Sequence, residues 1–130
     1  SGLVGSEMCI ETAPLCTTGI GKAILANLPP EEWLSRLPEI VPAHTPQTIT
    51  DKDKILQELQ STRERGFAID NCEHELNVRC VGVPVYNARG ALVAGISSSG
   101  AVQVMTDRKV MECADILMGI TQRIKERLYA

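Results

Sequence analysis

Val78-Arg79-Cys80-Val81-Gly82-Val83-Pro84-Val85-Tyr86, the link Asn87-Ala88-Arg89-Gly90, and Ala91-Leu92-Val93-Ala94-Gly95-Ile96-Ser97-Ser98-Ser99 decide the fold. Two strand-like runs flank a link with Asn at the first and Gly at the fourth turn position, which is the chemistry of an antiparallel hairpin. Pro84 removes one ladder hydrogen bond and so marks an edge or a bulge in the first strand. If Asn87 and Gly90 pair across the turn, Cys80 faces Ser97 and Gly82 faces Gly95. A bulge at the turn would slip this register by one and set Ser98 opposite Cys80. In the unslipped register Cys80, Gly82, Gly95, Ser97 and Ser99 share one face, and Ser98 points away. A sheet face built of such small groups leaves room for a helix, a water cluster or a small ligand.

Working outward, Phe67-Ala68-Ile69-Asp70 reads as a short strand before the hairpin, joined to it by a polar connection from Asn71 to Asn77. Upstream lies a strong helix. Thr50 or Asp51 caps it, Ile55, Leu56 and Leu59 form its apolar face, and Gly66 ends it. The charged residues between Asp51 and Arg65 fit a solvated helix face with neighbouring ion pairs. Pro38 to Thr50 is a loop. Before it, Ile20, Ala23, Ile24 and Leu28 recur at helical spacing behind a Thr17 or Thr18 cap, and Pro29-Pro30 stops that helix. Pro30 opens another helix with Trp33, Leu34 and Leu37 on its apolar face. After the hairpin, Val110, Ala114, Leu117, Met118, Thr121, Ile124 and Leu128 give Thr106 to Tyr129 one apolar stripe. A short strand around Met8 to Ile10 is the only element suggested near the front. The order indicates an α+β fold, an antiparallel sheet with flanking helices.

The chain has 130 residues and 44% apolar content, enough for one domain with its own core. Aromatic residues make up only 3%, so the core is aliphatic, and a surface that stacks bases on rings is excluded. The formal charge of -3 and a pI near 5.4 speak against a phosphate-binding surface. No apolar run reaches the ~18 residues of a spanning helix, and no signal peptide is visible. Five cysteines without a Cys-x-x-Cys pair point to reduced thiols in a cytoplasmic protein rather than to disulfides or a thiolate zinc site.

Several residues invite a chemical reading. Gly19-Ile20-Gly21-Lys22 resembles a phosphate loop, but Cys16 stands where the first glycine belongs and Ala23 where Ser or Thr belongs. Two readings remain for its glycines: a helix start whose N–H groups approach an anion, or close helix packing. Asp70 suits a turn. His44 and His74 look isolated, and Glu73-His74-Glu75 reads as a solvated loop, because neighbours in an extended chain point to opposite sides. Cys80 as a nucleophile needs a base, and no histidine is near it in sequence.

In combination these segments resemble the effector-binding domain of the IclR family of bacterial transcription regulators. Pro14 to Ala26 is similar to the family's Pro-Leu-His-x-(Ser/Thr)-(Ala/Gly)-x-Gly-Lys-Ala-x-Leu-Ala segment, with Cys16 in place of the usual His. Thr45 to Asp51 resembles its Thr-x-x-Thr-Ile-Thr-Asp segment, and Arg63 to Asp70 its Arg-x-x-Gly-Tyr-x-x-Asp segment. Cys80 to Val85 and Val93 to Gly100 resemble its hairpin, with Asn77 where the family has a glycine before the cysteine strand. The resemblance implies a GAF/PAS-like sheet and a site for a small effector, a carboxylate, at Gly19, Ile20, Asp70, Cys80, Ser97 and Ser99. It implies no catalytic residue, no metal and no cofactor. It also implies that DNA is contacted only through an N-terminal winged helix-turn-helix, that residues 1–130 form an effector domain incomplete at its front, and that the regulator is a cytoplasmic homodimer or homotetramer. Two other functions fit the residues less well: a small hydrolase using Cys80, and an assembly domain with an unused pocket.

Overall fold

The computed structural model describes residues 16–129. The expected strand at Met8 to Ile10 lies outside the described residues. Helix α1 spans Gly19–Ala26; the Thr18 side chain caps it by accepting from the Gly21 amide, 3.0 Å. A turn of 3-10 helix at Pro30–Glu32 leads into the short α2, Trp33–Arg36. Trp33 and Leu37 are buried as expected, whereas Leu34 faces outward. Helix α3, Lys52–Arg65, begins at Asp51, whose carboxylate accepts from the amides of Asp53 and Lys54, and ends at Gly66 with φ 92°. That left-handed value is open to glycine and strained for most other residues.

Strands β1 (Ala68–Asn71), β2 (Val78–Tyr86) and β3 (Leu92–Ala101) form an antiparallel sheet in the order β1-β2-β3. Helix α4, Asp107–Arg127, closes the chain behind a Thr106 cap. Pro84 lies on β2 beyond the end of its pairing with β1, and a register irregularity follows at Val85/Tyr86. Both are settings that tolerate a missing donor.

The hairpin register differs from the one expected. Cys80 pairs with Ser99, and Gly82 with Ser97, a shift of two residues. Two separate one-residue additions produce it. The expected turn is made, with the Gly90 amide donating to the Asn87 carbonyl at 2.9 Å, but the strands close one residue later: the Asn87 amide donates to the Ala91 carbonyl, 2.9 Å, and its side-chain oxygen accepts from the amides of Arg89 and Ala91. The irregularity at Val85/Tyr86 adds the second residue. Because side chains alternate with period two, the double shift changes partners and leaves Cys80, Gly82, Gly95, Ser97 and Ser99 on their expected common face.

The two faces are covered differently. Val81 and Val83 join Phe67, Met105, Val110, Ala114 and Leu117 in an aliphatic cluster under α4. The opposite face receives α1, all eight residues of which are buried. A second cluster binds α1 to α2 and α3 through Leu25, Ala26, Trp33, Leu37, Ile55 and Leu59.

Candidate functional site

The sheet sets Asp70, Cys80 and Ser99 in one row across its three strands, with Ala68, Gly82 and Ser97 in the adjacent row. Cross-strand neighbours in such rows lie ~5 Å apart. The first turn of α1 lies on these rows at backbone distance. A Cβ on Gly82 would fall 2.2 Å from the Gly19 carbonyl oxygen, and one on Gly19 would fall 2.8 Å from Cys80 Sγ. Close packing is therefore a real function of these glycines. The same packing brings the start of α1 over Cys80, with the Gly19 amide directed at its sulfur. Gly95 lies under Ile20 and Ile24, so α1 itself fills part of the small-residue face. Toward the Ser97 and Ser99 end the face is open: Ser97 is half-buried and Ser99 exposed. The structure thus gathers Gly19, Ile20, Asp70, Cys80, Ser97 and Ser99 along one side of the sheet.

Electrostatics separate the roles these residues can take. Burial pushes the Cys80 thiol up to about 11, and the Asp70 charge pushes the same way; the Ser97 side chain, the Gly19 amide and Lys22 oppose them. At neutral pH Cys80 is a neutral, buried group, the reverse of an activated nucleophile. Burial also raises the Asp70 pKa, against the Glu73 and His74 amides and the Lys22 charge. Asp70 is both a site-facing group and the turn-former its position suggested: its Oδ1 accepts from the Glu73 amide, 2.8 Å.

Two expectations about the polar connection need correction. Glu73 is buried, not solvated, and its pKa is raised by burial. Its carboxylate meets the Lys22 ammonium at 2.6 Å and accepts from the Asn71 amide at 2.9 Å. The connection folds inward because Thr45 and Thr48 donate to the carbonyls of Cys72 and Glu73, at 2.6 and 2.5 Å, and tie it to the loop before α3. His44 and His74 are also not isolated, since their rings stand 4.9 Å apart and His74 Nδ1 lies 3.4 Å from Thr17 Oγ1. No group of three or more His, Cys, Asp or Glu residues able to hold a metal occurs among the described residues.

Sequence reasoning missed Lys22 and Glu73 as members of this neighbourhood. A signal for Lys22 existed. Gly19 to Ala26 has no polar face, and a helix apolar all round is buried, so its one charged residue needs a buried partner. Nothing in the sequence alone identified Glu73 as that partner.

Two described grooves lie elsewhere. One, at the end of α4, is lined by Ile120, Arg123, Ile124, Arg127 and Leu128. The other runs beside Tyr86 and Lys125. Neither contains a residue of the row described above. No described helix is long and apolar enough to cross a membrane.

Residues 10–126 match the family model for the bacterial transcriptional regulator IclR C-terminal domain. Among curated relatives, the HTH-type transcriptional regulator BhcR of Paracoccus denitrificans is 34% identical over 105 residues, 80% of this chain and 38% of its own length. Among solved structures, Thermotoga maritima IclR superposes with a TM-score of 0.80 at 37% identity, covering 89% of this chain and 47% of that one. The inducer-binding domain of an Acinetobacter PobR double mutant, in complex with 3-hydroxybenzoic acid, gives 0.78 at 26% identity, covering 87% of this chain and 66% of that one. The chain spans less than half the length of BhcR and of the Thermotoga protein. These relatives are regulators rather than enzymes, and their effector domains have the same α+β, GAF/PAS-like architecture of helices about an antiparallel sheet. The chain belongs to the IclR family of bacterial transcriptional regulators and carries its C-terminal, effector-binding domain.

Proposed function

We propose that this domain senses a small organic acid at the row formed by Asp70, Cys80 and Ser99, with Ser97, Gly19 and Ile20 completing the site. One observation carries the reading: the start of α1 and two serine hydroxyls converge on one side of a sheet floored by small residues. Backbone N–H groups and hydroxyls are the donors that receive a carboxylate. An ionised Asp70 would repel such an anion. It therefore accepts from a ligand hydroxyl or is itself protonated, and its raised pKa supports the second arrangement. Cys80 contributes shape and a weak donor rather than reactivity. Binding would bias the conformation or assembly of a cytoplasmic homodimer or homotetramer, and an N-terminal winged helix-turn-helix would answer at DNA. Such a switch requires different effector affinity in its two states.

Isothermal titration calorimetry with two- to four-carbon 2-oxo acids, 2-hydroxy acids and dicarboxylates, plus 3-hydroxybenzoate as an aromatic arm, tests the reading. At least one acid should bind, and replacing Ser97 and Ser99 together by alanine should weaken it tenfold or more, the scale of two lost hydrogen bonds to a charged group. No binding by any acid removes the effector assignment; unchanged affinity in the double variant moves the site elsewhere.

A further inference from the structure

Lys22 is the charged group the proposed site leaves unused, and it lies directly behind that site. Its side chain is 1% exposed. Three oxygens surround this ammonium: Glu73 Oε1 in an ion pair at 2.6 Å, and the Ile69 carbonyl at 2.8 Å and Glu58 Oε2 at 3.3 Å as hydrogen-bond acceptors. Two of the three bracket Asp70 in the chain. Ile69 immediately precedes it, and Glu73 donates its own amide to the Asp70 carboxylate. Glu73 Oε2 then accepts from Asn71, so residues 69–73 wrap around Asp70 and are held at both ends by one cation. Lys22 stands one turn into α1, whose first residues cover Cys80.

We propose that Lys22 is a positioning residue: through Ile69 and Glu73 it fixes the Asp70 carboxylate relative to the start of α1. The functional consequence rests on the effector reading above; the geometric role does not. Asp70 and the first turn of α1 cannot separate without exposing a buried ion pair or leaving one of its members unpaired, and an unpaired buried charge is strongly unfavourable. Glu58 supplies an internal control. It also touches Lys22, but it is a quarter exposed, is shared with Arg65 and makes no link to the Asp70 turn. The charged groups around Asp70 are Lys22 from α1, Glu73 and Glu75 from the turn and, opposite it on β2, the neutral Cys80; Glu58 and Arg65 of α3 stand behind Lys22.

The residue 73 amide proton reports Asp70 directly, because it donates to that carboxylate. Its NMR shift is followed against pH in the 130-residue chain and in Lys22→Met and Glu58→Gln. Loss of the nearby cation should raise the Asp70 midpoint in Lys22→Met by about half a pH unit or more, whereas Glu58→Gln should leave it in place. Equal shifts in both variants, or none in either, overturn the proposal. If Lys22→Met does not fold, Glu73→Gln decides. An amide offers one acceptor where the carboxylate met two donors, so exchange of the residue 73 amide should accelerate tenfold or more; unchanged protection overturns the proposal. With any acid that binds the wild type, Lys22→Met or its substitute should also weaken binding tenfold. If no acid binds, the effector reading fails alone, and the Asp70 titration still decides the role of Lys22.

Discussion

The two faces of the sheet solve the same problem in opposite ways. Under α4, Val81 and Val83 meet Phe67, Val110, Ala114 and Leu117, an aliphatic layer whose contribution scales with the apolar area removed from water. Under α1 there is little side chain to bury. Gly82 lets backbone rest on backbone, and the neighbouring polar groups, Lys22, Glu73 and Asp70, are buried behind it and bonded to one another. One face is therefore a core. The other is a thin contact with an open end, held in register by sterics and hydrogen bonds. The second kind of surface is where we propose the effector binds, because its floor is made of small residues and its Ser97 and Ser99 end is accessible.

The sharpest way to break this contrast is to thicken the α1 face by one methyl group. Gly82→Ala sets a Cβ 2.2 Å from the Gly19 carbonyl oxygen, where only backbone movement can relieve it. Loss of ~3 kcal/mol or more is expected, in the upper range of overpacking costs. Gly95→Ala, on the same face, meets the Ile20 and Ile24 side chains at 3.4 Å and should change stability by no more than ~1 kcal/mol. Urea denaturation of the two variants measures the difference; equal effects would show that the close approach at Gly82 can relax.

On the α4 face the expected effect is smaller and of another kind. Val83→Ala removes two methyl groups from a fully buried position and should cost about 2 kcal/mol, through lost transfer energy and an incompletely closed cavity. Thermal denaturation reads the stability. Affinity for any acid found by calorimetry should remain within about twofold, since Val83 points away from the site and 2 kcal/mol leaves most domains of this size folded. A large loss of affinity in folded Val83→Ala would mean that the two faces are coupled.

How much of this contrast was legible follows from which interactions are local. The caps at Thr18, Asp51 and Thr106, and the glycine stop at Gly66, depend on residues within one turn, and the sequence displays them. The composition of each sheet face was also legible, because alternation needs only the parity of the register. The register itself was not, since it turned on two local details: an Asn87 side chain that accepts from Ala91 and lengthens the turn, and an irregularity at Val85/Tyr86. The inward fold of the Glu73 connection depends on Lys22, 51 positions earlier, and on Thr45 and Thr48. No period or cap signal spans such distances. No such signal links His44 to His74 either, 30 positions apart in sequence and 4.9 Å apart in space.

The last contrast concerns a single atom. Cys80 Sγ lies under the start of α1, and burial there raises its pKa to about 11. The sign follows from linkage. A folded-state pKa above the unfolded value means that the folded chain holds the thiol proton more tightly. The stability this supplies is complete below about pH 9 and is lost as the pH rises through about 11. At neutral pH both states carry the neutral thiol, so stability does not vary with pH there, and this effect is the smallest of the three under ordinary conditions. Iodoacetamide labelling followed by mass spectrometry makes it visible, because only the thiolate reacts. Cys113, half-buried on α4, should label well before Cys80 at pH 8, and Cys80 labelling of folded protein should rise only toward pH 11. Rapid alkylation of Cys80 at pH 8 in the folded chain would mean that the thiol is open and activated. The α1 face would then be a reactive cleft rather than a closed contact, and the reading of Cys80 as an unreactive part of an effector site would fail with it.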